Sequence, residues 1–280
     1  MGLPMSKRLC AAEHNMSVWN RSPAKAESVA ALGATAHLLA SEAVKNADIV
    51  VSMLESGPVV EGVLFNQGVA EAMKPRALFI DMASIKPREA RDHAARLSAL
   101  GIAHLDAPVS GGVQGAEDGK LVIMVGGKTS DFERAKPVFA HLGRATYVGP
   151  HGSGQLAKLA NQMIVGITIG AVAEALLFTK AGGADMAKVK EAITGGFADS
   201  RILQVHGQRM VERDFAPRGR MAIQLKDMRN ALSTADEIGF EASKGFGRKQ
   251  IGGRWLCHLY SILVWCILVN IHTPVIQRKV

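Results

Sequence analysis

One feature constrains the fold of this sequence most: an alternation of strand and helix patterns that stops partway along the chain. Short apolar runs at 16–19, 48–54, 77–82, 102–107, 121–126 and 145–148 predict strands. Several are continuously apolar, as strands buried on both faces of a parallel sheet must be. Helical patterns lie between them, for example over 87–100 and 131–142. Strand, helix and strand in regular turn predict an α/β fold with a doubly wound parallel sheet. After Gly154 no strand pattern recurs. Residues 155–181 form a long Ala-, Leu-, Ile- and Met-rich run with few polar positions, predicting a helix buried nearly all round against other helices or a second subunit. Further helices are predicted over 186–194, 200–213 and 224–238. The division that follows is a Rossmann-type domain over 1–150, an all-α domain over 151–243 and an atypical tail over 244–280. No internal repeat is found.

The tail explains the charge. The chain of 280 residues carries a net charge of +8, a value that could suggest nucleic acid. Residues 244–280 hold six Lys and Arg and no Asp or Glu, and the remainder has 27 basic against 25 acidic side chains, or +2. Nucleic-acid binding is therefore not expected. The tail also contains a 17-residue apolar run, Trp255 to Ile271, at the short end of what spans a bilayer, with His258 and Asn270 inside it. A membrane anchor is not the expectation. Only Cys10, Cys257 and Cys266 occur, with no paired framework, and no basic segment leads into an apolar leader. A reducing, cytoplasmic setting follows. The nine histidines show no metal-ligand spacing, so no metal is expected.

Four segments carry candidate chemistry. The opening Met1-Gly2-Leu3-Pro4-Met5 reads as a helix start, and a strand pattern then ends in Asn20-Arg21-Ser22. In a dinucleotide-binding βαβ unit, that strand end meets the adenosine ribose; an acidic residue there suits NAD and an arginine suits the 2′-phosphate of NADP. The alternative reading is an ordinary polar turn with Ser22 as helix N-cap. Asp106-Ala107-Pro108-Val109-Ser110-Gly111-Gly112 follows a strand and could aim a hydroxyl and backbone N–H groups at an anion, or be a plain glycine turn. Gly154-Gln155-Leu156-Ala157-Lys158-Leu159-Ala160-Asn161-Gln162 places Lys158 and Asn161 on one helix face, with the small Gly154 opening space one turn earlier. A lysine in an apolar helix is expensive unless paired or functional, and near a carbonyl its ammonium can donate a proton. The alternative is a surface lysine. Lys226, in Leu225-Lys226-Asp227-Met228, could reach a cofactor or form a helix-surface ion pair.

In combination, DAPVSGG, then GxGxxxKxxNQ, then LKDM, the chain resembles the β-hydroxyacid dehydrogenase family from Met1 to about Ser243. The later segments GGFADSRIL and RM…RDF are most similar to members that reduce tartronate semialdehyde (2-hydroxy-3-oxopropionate). The resemblance implies a Rossmann domain and a helical domain joined by a long helix, usually in a homo-oligomer. It implies an NAD(P)-dependent oxidoreductase, with NADP preferred and NAD the alternative, that reduces a small aldehyde acid to a hydroxy acid such as glycerate, or runs the reverse. Lys158 would be the catalytic acid/base. Ser110, Gly111, Gly112 and Asn161 would bind substrate. Gly2, Asn20, Arg21, Ser22, Met53, Leu54, Ser84 and Lys226 would line the cofactor. Three departures stand out. Of the family's GxIGLGxMG fingerprint only Met1-Gly2 is present, so the first strand is expected to be missing and the chain to start at an internal methionine. Glu55 replaces the proline of a Met-Leu-Pro segment. The family's closing helices are replaced by 244–280, expected to reflect an altered reading frame or an intron read-through. The alternatives are an enzyme that dehydrogenates 3-hydroxyisobutyrate, or a non-catalytic oligomerising remnant.

Overall fold

The structure is a computed structural model that describes residues 1–12, 14–214, 216 and 221–240. The tail over 244–280, with its apolar run, Cys257 and Cys266, lies outside the described residues, as does Phe215 of the Arg213-Asp214-Phe215 segment. The chain divides into two compact units after Leu159.

In the first unit the order is α1 (Gly2–Ala11), β1 (Ser17–Trp19), α2 (Pro23–Ala30), β2 (Thr35–His37), α3 (Ala40–Val44), β3 (Ile49–Ser52) and α4 (Gly57–Glu61). A π-helical turn, Gly62–Asn66, leads to α5 (Val69–Ala72), β4 (Leu78–Asp81), α6 (Pro87–Ala99), β5 (Ala103–Asp106), β6 (Val109–Ser110), α7 (Gly112–Glu117), β7 (Leu121–Gly127), α8 (Thr129–Leu142) and β8 (Gly143–Gly149). Strand β4 shows how the layers form. Its Leu78 and Ile80 face a core shared with Met5 and Leu9 of α1 and Phe132, Phe139 and Leu142 of α8. Phe79, between them, faces a second core with Val60, Leu64, Ile85 and Leu97. Alternate residues of a strand point to opposite faces, so a strand buried on both sides needs an unbroken apolar run. Helix α6 starts at Pro87, whose fixed φ suits a first turn, and the Lys86 N–H donates to Glu89 Oε2 at 2.8 Å. Helix α1 is tied down by Arg8, whose Nε donates to the His141 carbonyl at 2.7 Å and whose guanidinium donates to the Glu117 carbonyl at 3.0 Å.

The sheet is parallel in the main but differs from the expectation in two ways. Strands β3, β4 and β5 run parallel, and β8 is parallel to β7, but β7 pairs antiparallel with β5 and then β6. After β5 the chain turns through Pro108 and the two-residue β6, then returns along β7. The sheet is also not continuous. Strands β1 and β2 form their own two-stranded parallel sheet, and β3 pairs with β4 alone among the described residues. The doubly wound pattern thus appears as two pieces. Strands β2 and β6 were not legible as apolar runs: Thr35-Ala36-His37 is polar and half to fully exposed, and β6 is too short to show a period.

Helix α9 (Ser153–Ala181) begins in the first unit and continues into the second. There it is followed by α10 (Met186–Ile193), a π-helical turn at Leu203–Gly207, α11 (Gln208–Glu212) and α12 (Met221–Glu237). Asp185 caps α10, its Oδ1 accepting from the N–H groups of Ala187 at 2.8 Å and Lys188 at 3.2 Å. Val172, Leu176 and Leu203 form the centre of this unit, with Met186, Ile193, Ile202, Met210 and Val211 packed around them. Among the described residues α9 is the helix long and apolar enough to cross a membrane, a test that core helices also pass. It is not buried all round, as the sequence led one to expect. Ile164 is 67% exposed, Phe178 is 80% exposed, and Ile167 lies between them.

Candidate active site

Several candidate residues of the first unit, Asn20, Arg21, Ser22, Met53, Leu54 and Ser84, follow the C-terminal ends of parallel strands, where open α/β sheets bind ligands. Asn20, Arg21 and Ser22 follow β1 and are exposed. The Asn20 side-chain oxygen accepts from the Ser22 N–H at 2.9 Å, and Ser22 is the N-cap residue of α2 without a side-chain cap bond. The turn reading is thus realised, and Arg21 stays exposed beside it. Met53 and Leu54 follow β3 and are half-buried. Gly2, at the first position of α1, lies against Met53: a Cβ at Gly2 would be 3.8 Å from that of Met53. Ser110 ends β6, and Gly111 and Gly112 enter α7 with φ of +133° and +65°, values that side chains rarely adopt.

Ser84 and Lys158 are linked through a residue that the linear sequence did not mark. Gln155 is fully buried in the first turn of α9. Its Oε1 accepts from the Ile85 N–H at 3.0 Å, and its Nε2 donates to the Ala83 carbonyl at 2.9 Å. One amide thus clamps both neighbours of Ser84, fixing the loop after β4. Asp81 adds a third bond, its Oδ1 accepting from the Ala83 N–H at 3.0 Å. The start of α9 is held from the other side by Asp106 at the end of β5. Its Oδ1 accepts from the Gly152 N–H at 2.8 Å and its Oδ2 from the Gln155 N–H at 2.9 Å. Burial raises the Asp106 pKa, and those two N–H groups oppose the rise. Lys158 follows Gln155 by one turn and is only 8% exposed. The apolar-helix argument therefore holds in place of the surface-lysine alternative. Gly154 does not open space beside Lys158. A Cβ there would lie 2.5 Å from the carbonyl oxygens of Asp106 and Met124, so glycine is required for α9 to start against β5 and β7.

Asn161 and Lys226 belong to the second unit and meet there through one polar network. Asn161 Nδ2 donates to Gln162 Oε1 at 3.0 Å. Gln162 Nε2 donates to Asp227 Oδ2 at 2.7 Å and to Gln224 Oε1 at 3.0 Å. The Lys226 ammonium lies 3.2 Å from Asp227 Oδ1, and Asp227 is buried. Lys226 thus forms the ion pair of the bland alternative, but from a half-buried position on α12 rather than from an open surface. Gln155, Asp106, Gln162 and Asp227 are the residues that sequence reasoning missed. Three of them stand in the quoted motifs' own letters, and only the fold shows what they hold.

A nucleotide-binding α/β unit with a lysine at the root of a long helix defines the class: an NAD(P)-binding oxidoreductase. Residues 1–149 match the NAD binding domain of 6-phosphogluconate dehydrogenase, and residues 152–251 match the NAD-binding domain of NADP-dependent 3-hydroxyisobutyrate dehydrogenase. The chain is 45% identical over 240 residues to the 2-hydroxy-3-oxopropionate reductase of Escherichia coli K12, covering 85% of this chain and 82% of that one. It is 33% identical over 247 residues to the 3-hydroxyisobutyrate dehydrogenase of Pseudomonas aeruginosa, covering 85% and 83%. Among solved structures, the 3-hydroxyisobutyrate dehydrogenase of Mycobacterium tuberculosis with L-serine superposes with a TM-score of 0.80 at 34% identity, over 88% of this chain and 86% of that one. The chain belongs to the β-hydroxyacid dehydrogenase family, whose members are NAD(P)-dependent hydroxyacid dehydrogenases related to 3-hydroxyisobutyrate dehydrogenase.

Proposed function

We propose that this chain reduces 2-hydroxy-3-oxopropionate to glycerate, with Lys158 as the proton donor and NADP as the preferred cofactor. The observation that carries the reading is a buried lysine one turn beyond the Gln155 clamp. The 45% identity to a 2-hydroxy-3-oxopropionate reductase supports this substrate over others of its class. A bound reduced nicotinamide supplies the hydride that reaches the aldehyde carbon. Lys158 holds a proton on Nζ and passes it to the carbonyl oxygen, which becomes the new hydroxyl. Ser110, Gly111 and Gly112 take the substrate carboxylate with a hydroxyl and backbone N–H groups, and Asn161 is a further substrate-binding side chain. The positive φ at both glycines turns that backbone in a way a Cβ would resist. Gly2, Asn20, Arg21, Ser22, Met53, Leu54, Ser84 and Lys226 hold the cofactor. The residues present suit such a group: Gly2 and Met53 adjoin, and the exposed Arg21 makes no ion pair among the described residues, leaving its guanidinium for a 2′-phosphate. The enzyme acts in the cytoplasm as a homo-oligomer on this reading.

A second reading, 3-hydroxyisobutyrate dehydrogenase, is favoured by the relatives of that name. The two substrates differ by small groups, and pocket contacts separate them. Melting curves with NADPH and with NADH, followed by turnover of both substrates, test the proposal. A larger upward shift with NADPH, faster turnover of 2-hydroxy-3-oxopropionate, and a loss of about 10²–10⁴ in kcat for Lys158→Ala are expected. Absence of any shift with either nucleotide would support the non-catalytic remnant instead.

A further inference from the structure

We propose that His104, Asp106 and His151 form a site for one divalent transition metal of the zinc type, separate from the hydride chemistry. His104 and Asp106 lie two apart on β5, and His151 lies in the loop before α9. One ligand atom from each of the three lies within 4.8 Å of the other two. His104 is 2% exposed, and neither of its ring nitrogens has a hydrogen-bond partner. His151 Nδ1 is likewise buried without a partner, and the two rings stand 5.5 Å apart between centroids. Buried polar atoms in folded proteins are almost always satisfied, and a metal beside the carboxylate would take one nitrogen from each of the two imidazoles.

The chemistry of the donors selects that group. Neutral imidazole offers one lone pair, and Asp106 keeps a lone pair on each oxygen after accepting from Gly152 and Gln155. Two imidazoles and a carboxylate suit zinc, with water in the fourth position, better than the all-oxygen sites that magnesium and calcium prefer. Around His151, Asp106 and Asp131 favour added positive charge and Lys128 opposes it. Ligand atoms of a tetrahedral zinc stand about 3.3 Å apart, given bonds of about 2.0–2.1 Å. His151 is half-buried in its loop, and the proposed site requires its ring to close that remaining distance. The metal would tie the end of β5 to the residues that start α9. Lys158 stands five residues beyond the first residue of that helix, so the site is structural for the catalytic segment.

The test uses the full chain, stripped with a chelator and titrated with zinc and with cobalt, beside the double variant His104→Phe/His151→Ala. Phenylalanine at 104 would stack beside Phe79, which already lies 6.1 Å from the imidazole at 16°, so the variant should fold. The expected result is one zinc per chain in the wild type, a rise in its melting temperature with zinc, and a visible band of tetrahedral cobalt, all three lost in the variant. No stoichiometric uptake by the wild type overturns the proposal. So does equal uptake by the variant, which places the metal elsewhere. Should the double variant not fold, His151→Ala alone decides, since its side chain is half-exposed: retained uptake there overturns the site, and lost uptake supports it.

Discussion

Gln155 shows how much one side chain can hold. Its amide satisfies a carbonyl and an N–H that flank Ser84, both inside the protein. Gln155→Leu keeps the volume and removes both bonds. Each stranded backbone group then costs about 1–3 kcal/mol, so chemical denaturation should show a loss of several kcal/mol. In the same variant, the cofactor should bind more weakly because Ser84 is no longer fixed; a denaturation midpoint like that of the wild type would sink the clamp argument. A buried histidine supplies a second test. His93 of α6 is almost fully buried, and its pKa is lowered, first by burial, with Glu89, Asp92 and Glu61 opposing. Its folded pKa is below its unfolded value, so the stability it contributes is complete above pH about 6.5 and is lost as pH falls toward the folded value. With chelator present, stability should decline on acidification from pH about 6.5, and His93→Phe should decline less steeply. Equal slopes would show that other groups set the acid limit.

Helices α9 and α12 are joined by a polar seam rather than by apolar contact alone. Gln162 bridges Gln224 and Asp227, and Asp227 in turn pairs with Lys226. Gly166 lies in the same seam: a Cβ there would be 3.2 Å from Gln224 Nε2 and 3.3 Å from Met228 Sδ. Gln162→Leu leaves the Asp227 carboxylate with one donor fewer in a buried place. A loss of about 1–3 kcal/mol in stability is expected, together with a weaker cofactor affinity through Lys226. Calorimetry and a nucleotide titration on one sample check both. The elements themselves were largely legible. Apolar runs gave β3, β4, β5, β7 and β8 within a few residues; β4, β5 and β7 are buried on both faces and cannot hide their composition, while β3 is half-buried and β8 largely exposed. The positions of Lys158 and Asn161 on one helix were legible for the same reason, since helical period is local. What each polar residue holds was not. Gln155 reaches residues 70 and 72 positions away, and the metal candidates 104 and 151 are brought together only by β5 meeting the start of α9.

Sequence composition counts apolar residues but does not say which chain covers them, and α9 shows the difference. Its apolar run reads as buried nearly all round, against other helices or a second subunit, yet Ile164, Ile167 and Phe178 are exposed along one side. Positions 164, 167 and 171 fall on one apolar helical face, which Phe178 continues beyond the exposed Glu174, and Ala171 is small enough for close approach. Large exposed apolar side chains grouped on one helix face mark a place where a partner can dock. The net charge does not oppose self-association in this part of the chain, because the excess of basic residues lies in 244–280. A second copy of the same helix is the occupant that fits best, since a two-fold pairing sets each stripe against its own likeness. Light scattering should therefore give a mass that is a multiple of 29.8 kDa. The melting temperature should rise with protein concentration, as it does whenever association favours the folded state. Ile164→Asp/Phe178→Asp changes two side chains that already face outward, so helix content should persist while the assembly dissociates. If the wild type has the mass of one chain at high concentration, the stripe is open in solution and the predicted pairing is wrong. If the variant retains the wild-type mass, the assembly uses another face.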